Sequence, residues 1–236
     1  MKIGMHLLIC DSSLELLWSN IGYHHSLVDY IVVIANNPSK LLVDYIKILS
    51  KEFPNLHYIG PVAGEMTMDL QASICTRMSL QLRDMGCDWV VPCDDDEFYT
   101  GGLRESIARA DFSGSHVVDQ DGFCFYSTEI DSWNLNPVRR MTWRDPDATK
   151  YEYRKAIHRT KNLVSLSPGN HWAFYEGFQP KRSHDSQIRI YHFTFREKKV
   201  FVHIKVPKVI TETQILEKSL IKDTYMIEEL NKRNLP

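Results

Sequence analysis

The sequence predicts an α/β protein with a mixed, mainly parallel sheet flanked by helices, followed by a C-terminal helical segment. Short apolar runs alternate with stretches of helical periodicity over the first hundred residues. One of these runs, YIVVIA at residues 30–35, is apolar on both faces, as a strand covered by helices on both sides is. Alternating strands and helices imply parallel strands joined by right-handed crossovers.

The elements of the first half follow in regular order. Strands are predicted at residues 2–10, 30–35, 56–61 and 89–93, with helices between them at residues 14–25, 41–53 and 66–85. The turn sequence Asn-Asn-Pro-Ser at residues 36–39 and Gly86 mark the ends of a strand and of the longest helix. In such a sheet, ligands bind at the carboxyl ends of the strands.

The second half changes character and is richer in loops. A short helix is predicted at residues 103–110, strand-like runs at residues 115–119, 123–128, 155–159 and 187–195, and helical spacing at residues 211–234. The interpretation is a nucleotide-binding half over residues 1–100, an acceptor half over residues 101–205, and a C-terminal helical extension over residues 206–236.

Composition restricts the class of protein. The chain has 236 residues and a formal net charge of −2, which favours neither a nucleic-acid binder nor a membrane-surface protein. The five cysteines include no C-x-x-C pair, so a disulfide framework or a structural zinc site is not expected. With no apolar run of about 18 residues and no signal-peptide pattern, the expectation is a cytoplasmic protein without a transmembrane segment.

The most informative motif is the acidic run Asp94-Asp95-Asp96-Glu97, which follows the apolar strand WVVPC directly. Adjacent carboxylates repel one another unless a cation compensates them. Oxygen ligands at this density suit Mg²⁺ or Mn²⁺. In an extended segment, side chains two residues apart point the same way, so Asp94 and Asp96 can converge on one ion. The alternative is a solvated acidic loop or a helix N-terminus.

The motif W-V-x-x-x-D-x-D-E-F after a long helix resembles glycosyltransferases of the GT-A (Rossmann-like) fold, in the family 2-like and family 92-like groups. The stretch HHSLVDYIVVIANNPS resembles the second strand and loop of that group. Late in the chain, Gly169-Asn170-His171-Trp172 and the segment from Tyr191 through Arg196 to Lys205 resemble its closing motifs. The resemblance covers roughly residues 1–205.

The resemblance implies transfer of a sugar from a nucleotide-sugar, most simply a UDP-sugar, with Mn²⁺ or Mg²⁺ on the diphosphate. It implies Asp94, Asp96 and His192 as metal ligands. The residues expected around the donor are Asp11, Asn36, Asn37, Arg77, Asp94, Asp95, Lys155 and His171. Each has an ordinary structural alternative, such as a helix cap for Asp11, a solvated helix residue for Arg77, and a satisfied strand or turn histidine for His192 and His171.

The acceptor side is less defined. Acceptor contacts are expected from Glu97, Trp133, Trp172 and Arg196, although tryptophans in loops also pack locally. An inverting enzyme needs a carboxylate base, and the candidates in the acceptor half are Glu129, Asp131 and Asp185. The acceptor could be a glycan, a lipid-linked sugar or a hydroxylated DNA base. The alternatives are a metal-dependent nuclease or phosphohydrolase and a non-catalytic nucleotide-sugar-binding module.

Overall fold

A computed structural model describes residues 1–126, 137–144, 154–195 and 221–235. It confirms the predicted fold class, because a large mixed sheet, parallel in its first half, is flanked by helices. Along the main path of the sheet, the strands lie in the order 221–222, 143–144, 117–126, 157–159, 89–93, 3–9, 30–36 and 56–62, and the strands at residues 182–195 and 97–100 extend it from the strand at residues 117–126. A separate two-stranded sheet pairs residues 163–166 with residues 173–175.

The first half folds as the apolar pattern predicts. Its four strands pair in parallel and are β1 (Ile3–Ile9), β2 (Tyr30–Asn36), β3 (Leu56–Val62) and β4 (Trp89–Cys93). Its three helices are α1 (Leu14–His24), α2 (Lys40–Glu52) and α3 (Met68–Asp84). The side chains of Ser39 and Thr67 cap α2 and α3 by accepting from backbone N–H groups three residues on.

The second half supplies shorter elements. They are β5 (Glu97–Thr100), α4 (Leu103–Phe112), β6 (Val117–Tyr126), α5 (Pro137–Arg140), β7 (Trp143–Arg144), β8 (Ile157–Arg159), β9 (Leu163–Leu166), β10 (Ala173–Tyr175), β11 (Arg182–Phe195), β12 (Ile221–Lys222) and α6 (Tyr225–Lys232).

Several boundaries differ from the prediction. The runs predicted at residues 115–119 and 123–128 are joined in one strand, β6, over residues 117–126, although the stretch Asp-Gln-Asp-Gly within it resembles a turn; residues 127 and 128 lie outside the described residues. β6 stays extended because β11 pairs with one of its edges and β8 and β7 with the other. β5 and the β9–β10 hairpin were not predicted. Of the predicted C-terminal helix, α6 is present and β12 replaces a short stretch, while residues 211–220 lie outside the described residues.

The register of β11 places its end beside the end of β4. β11 runs parallel to β6 and antiparallel to β5, with His192 opposite both Glu97 and Cys124. β5 begins directly after the acidic run, so this pairing brings a late strand against residues 94–97. In the part of the chain that the structure describes, no helix is long and apolar enough to cross a membrane.

Candidate functional site

The segment Asp94–Glu97, here called the acidic turn, is a tight turn between β4 and β5. The amide of Glu97 donates to the Asp94 carbonyl at 3.1 Å, and the amide of Asp94 donates to Glu97 Oε2 at 2.9 Å. In the extended segment expected from the sequence, Asp94 and Asp96 would point the same way. That expectation is wrong, because the turn directs the two carboxylates to different cationic partners.

The first partner is Lys155, which precedes β8. Its Nζ lies 2.6 Å from Asp94 Oδ2 and 3.4 Å from Glu97 Oε1, and its side chain is only 5% exposed. Burial alone would lower the pKa of Lys155, but the carboxylates of Asp94 and Glu97 hold it above its usual value. Lys155 is therefore an ammonium ion enclosed by the acidic turn.

Glu97 is the most deeply buried carboxyl group of the turn, with a side-chain exposure of 1%. Burial raises its pKa to about 7, an effect that Lys155 opposes and Asp94 reinforces. Its Oε2 holds the backbone of Asp94. These contacts give Glu97 a structural role within the turn, and its expected contact with the acceptor stays a prediction.

The second cationic partner is His192 on β11. Its Nε2 lies 3.3 Å from Asp96 Oδ1, and both side chains are about one-tenth exposed. Burial would lower the pKa of His192, but the neighbouring Asp96 carboxylate raises it well above the ordinary value. The backbone of β11 also holds the turn, because the amide of Phe193 donates to the Asp96 carbonyl at 2.8 Å.

A side chain of helix α1 contacts the backbone of the acidic turn. The side-chain nitrogen Nδ2 of Asn20 lies 2.9 Å from the Glu97 carbonyl oxygen, 3.1 Å from that of Asp95 and 3.3 Å from that of Asp94. Nothing in the sequence singles out Asn20, because a single asparagine within a helix belongs to no recognisable motif. At the C-terminal end of the same helix, complete burial lowers the pKa of His24 to about 3.

Three further predicted donor residues lie at the strand ends, and two of them have structural partners. Asp11 Oδ1 accepts from the backbone amide and the hydroxyl of Ser39, both at 2.9 Å, and so ties the end of β1 to the start of α2. Asn37, at φ 43°, donates to and accepts from the backbone of Gly64. Asn36 is half-buried at the end of β2, and its Oδ1 has no hydrogen-bond partner among the residues that the structure describes. These residues lie at the same sheet edge as the acidic turn.

The remaining predicted donor residues lie in different surroundings. Arg77 lies on an exposed face of α3. His171 follows a 3-10 turn, Pro168–Asn170, and its Nδ1 bonds the carbonyl of Arg154, the neighbour of Lys155. Asp95 is half-buried between the two paired aspartates.

The residues predicted on the acceptor side are spread over the second half of the chain. Trp172 is 57% exposed, and the guanidinium of Arg182 stacks over it at 4.4 Å. Asp185 pairs with Arg109 at 2.6 Å and lies seven residues before His192 on β11, so about 20 Å of strand separates them. The structure does not bring Asp185 to the acidic turn. The other predicted residues, Glu129, Asp131, Trp133 and Arg196, lie outside the described residues.

Comparison with known proteins gives only remote likenesses. No protein-family model and no curated protein matches the sequence. Among solved structures, TarS 1–349 from S. aureus in complex with UDP is similar at 11% identity and a TM-score of 0.49, over 81% of this chain and 60% of that one. HddC from Yersinia pseudotuberculosis is similar at 8% identity and a TM-score of 0.45, over 81% and 93% of the two chains.

A third similar structure is A197 from STIV, at 12% identity and a TM-score of 0.39, over 94% of both chains. The chain thus spans about 60% of the TarS structure that it matches. Likenesses at these TM-scores are too remote to indicate an activity for this chain.

Proposed function

We propose that the chain transfers a sugar from a nucleotide-sugar, most simply a UDP-sugar, to an acceptor hydroxyl, with a divalent metal on the diphosphate. The observation that carries the proposal is the pair formed by Asp96 and His192, 3.3 Å apart at the carboxyl end of a parallel strand. Ligands of open α/β sheets bind at that edge. The acidic run and its setting are also what the resemblance to GT-A glycosyltransferases rests on.

The side chains at this place fit a divalent cation whose remaining coordination positions are filled by substrate and water. Mg²⁺ in phosphate-handling sites usually binds one or two protein groups, with the other positions filled by phosphate oxygens and water. Asp96 and His192 provide one carboxylate and one imidazole, a set that also suits Mn²⁺. His192 would bind the ion as a neutral imidazole, so metal binding would displace the proton that the Asp96 carboxylate favours in the absence of the ion. Within the described residues, no three side chains form a preformed metal site. When bound, the ion would neutralise charge that develops on the leaving diphosphate.

Lys155 favours this proposal over a two-metal nuclease or phosphohydrolase. Two-metal sites need carboxylates that serve two ions about 4 Å apart. The Asp94 carboxylate, which would have to supply the second ion, is already neutralised by the buried ammonium of Lys155. In the proposed enzyme, Asp94 and Lys155 together form a fixed charge pair beside the donor, and Lys155 would reach phosphate only by leaving Asp94.

The experiment is a thermal-shift screen of UDP-, GDP-, dTDP- and CMP-sugars, each with and without MnCl₂. A bound donor raises the melting temperature by mass action, and we expect a shift that needs both sugar nucleotide and metal. The hit is then assayed for release of the sugar to water or to acceptor. A non-catalytic binding module would show the shift without any release.

Asp96→Asn is expected to reduce transfer at least a thousandfold, because it removes the carboxylate while keeping the shape of the side chain. Asp44→Asn is the matched control, since Asp44 lies on the exposed face of α2 and pairs with Lys40 and Lys47. Full activity of Asp96→Asn, or undiminished wild-type activity in EDTA, would contradict the proposed role of the metal.

A further inference from the structure

We propose that Asn20 is a positioning residue that holds the acidic turn in the shape that binds metal and diphosphate. This inference rests on the proposed function. It assigns to a side chain of α1 the role of keeping the acidic turn in position. Asn20 does not touch the substrate in this role, and it acts through Asp94 and Asp96.

One amide group meets three carbonyl groups of the same turn. Asn20 Nδ2 faces the carbonyl oxygens of Asp94, Asp95 and Glu97 at 3.3, 3.1 and 2.9 Å. Asn20 is completely buried, so water does not compete for these carbonyls at that point. Because the three carbonyl directions are fixed, the backbone positions from which Asp94 and Asp96 project are fixed as well.

His24, one helical turn later on α1, sets the orientation of that amide. The backbone N–H of Tyr99 donates to His24 Nε2 at 3.1 Å, so the ring proton must be on Nδ1. His24 Nδ1 lies 2.9 Å from the Asn20 carbonyl and 3.2 Å from Asn20 Oδ1, and both oxygens accept from it. With Oδ1 occupied there, the NH₂ group of Asn20 must face the turn.

This arrangement matters because binding groups must be held within about 0.5 Å of their productive positions. The carboxylates of Asp94 and Asp96 point to separate cations, Lys155 and His192, which lie on different elements. The backbone between the two aspartates must therefore keep one particular curvature. Asn20 is the side chain that contacts the carbonyls on either side of Asp96.

The test compares two asparagines with the same kind of contact. Asn55 also donates from Nδ2 to two backbone carbonyls, those of His25 and Val28 at 2.8 and 3.1 Å, but it does not contact the acidic turn. Asn20→Ser and Asn55→Ser each remove an amide that ties backbone segments together. For both variants we would measure the free energy of unfolding, and the affinity for UDP in the presence of MnCl₂ by calorimetry.

We expect Asn20→Ser to weaken UDP binding at least tenfold under conditions where the variant is folded, and Asn55→Ser to stay within twofold of the wild type. If Asn20→Ser does not fold, Asn20→Gln, which moves the donating amide by one methylene, takes its place with the same criterion. Wild-type affinity in a folded Asn20 variant would overturn this inference alone. A wild-type protein that binds neither UDP nor any of the sugar nucleotides would overturn the proposed function and this inference together.

Discussion

Two carboxylate–cation pairs in this molecule share their chemistry and differ in burial. Asp94 and Lys155 meet at 2.6 Å within the acidic turn, where the lysine side chain is 5% exposed. Asp185 and Arg109 also meet at 2.6 Å, but the arginine side chain is 52% exposed. The distance is the same, so distance alone does not distinguish a site from a surface contact. Burial does distinguish them. Removing one partner of a buried pair leaves the other charge unpaired and away from water, whereas the remaining charge of an exposed pair is solvated.

The largest effect is expected from Lys155→Met. This variant leaves the carboxylates of Asp94 and Glu97 without their buried cation, and such changes cost about 3–5 kcal/mol. Arg109→Met removes the exposed cation of the other pair and should cost at most about 1 kcal/mol. Urea unfolding followed by circular dichroism measures both. Equal losses of stability in the two variants would show that burial does not determine how much these pairs contribute.

The next effect is acid sensitivity between pH 6.5 and 4.5. Burial lowers the pKa of His24 to about 3, of His158 to about 4, and of His6 well below its usual range. Below pH 6.5 the unfolded chain binds three protons that the folded chain excludes. Burial raises the pKa of Glu97 to about 7, so Glu97 acts in the opposite direction and offsets one of the three.

The free energy of unfolding should therefore decrease as pH falls through this window, by on the order of 2 kcal/mol per pH unit. Chemical denaturation at a series of pH values measures the slope. His158→Asn should make this slope smaller, because one of the three buried imidazoles is then absent. A constant stability from pH 7 to pH 4.5 would show that the buried histidines do not control it.

The smallest effect is expected from Asp185→Asn, which also tests whether Asp185 is the catalytic base. Because Asp185 lies about 20 Å along β11 from His192, sugar transfer should change less than twofold. Stability should fall by no more than about 1 kcal/mol, since its partner Arg109 is largely exposed. A loss of transfer of a hundredfold or more, with the fold retained, would return Asp185 to the candidate bases.

The sequence predicted the first half of the fold well because burial imposes its pattern there. Strand β2 is apolar on both faces and buried over Ile31–Ala35, and the turn residues after β2 and α3 lie within about two residues of the ends of those elements. In the second half, β6 crosses a turn-like Asp-Gln-Asp-Gly stretch, and only pairing with β11 keeps it extended. Such pairing joins residues distant in the chain, and no local pattern encodes it.

For the site, the sequence identified the acidic run and linked it to His192, and the structure brings Asp96 and His192 together. The shape of the turn could not be predicted, since alternating side-chain directions hold only for an extended backbone. The supporting role of Asn20 was also hidden, because it depends on the packing of α1 under residues 94–97.

The hydrogen bond from the Phe193 amide to the Asp96 carbonyl makes one proton a probe of the whole turn. Amide hydrogens exchange with solvent deuterium only when their hydrogen bonds open. The neighbouring amides of β11 are held by pairing with β5 and β6, whereas this one opens together with the acidic turn. Its exchange rate therefore reports the spontaneous opening of the turn in the free protein, before any nucleotide or metal is added.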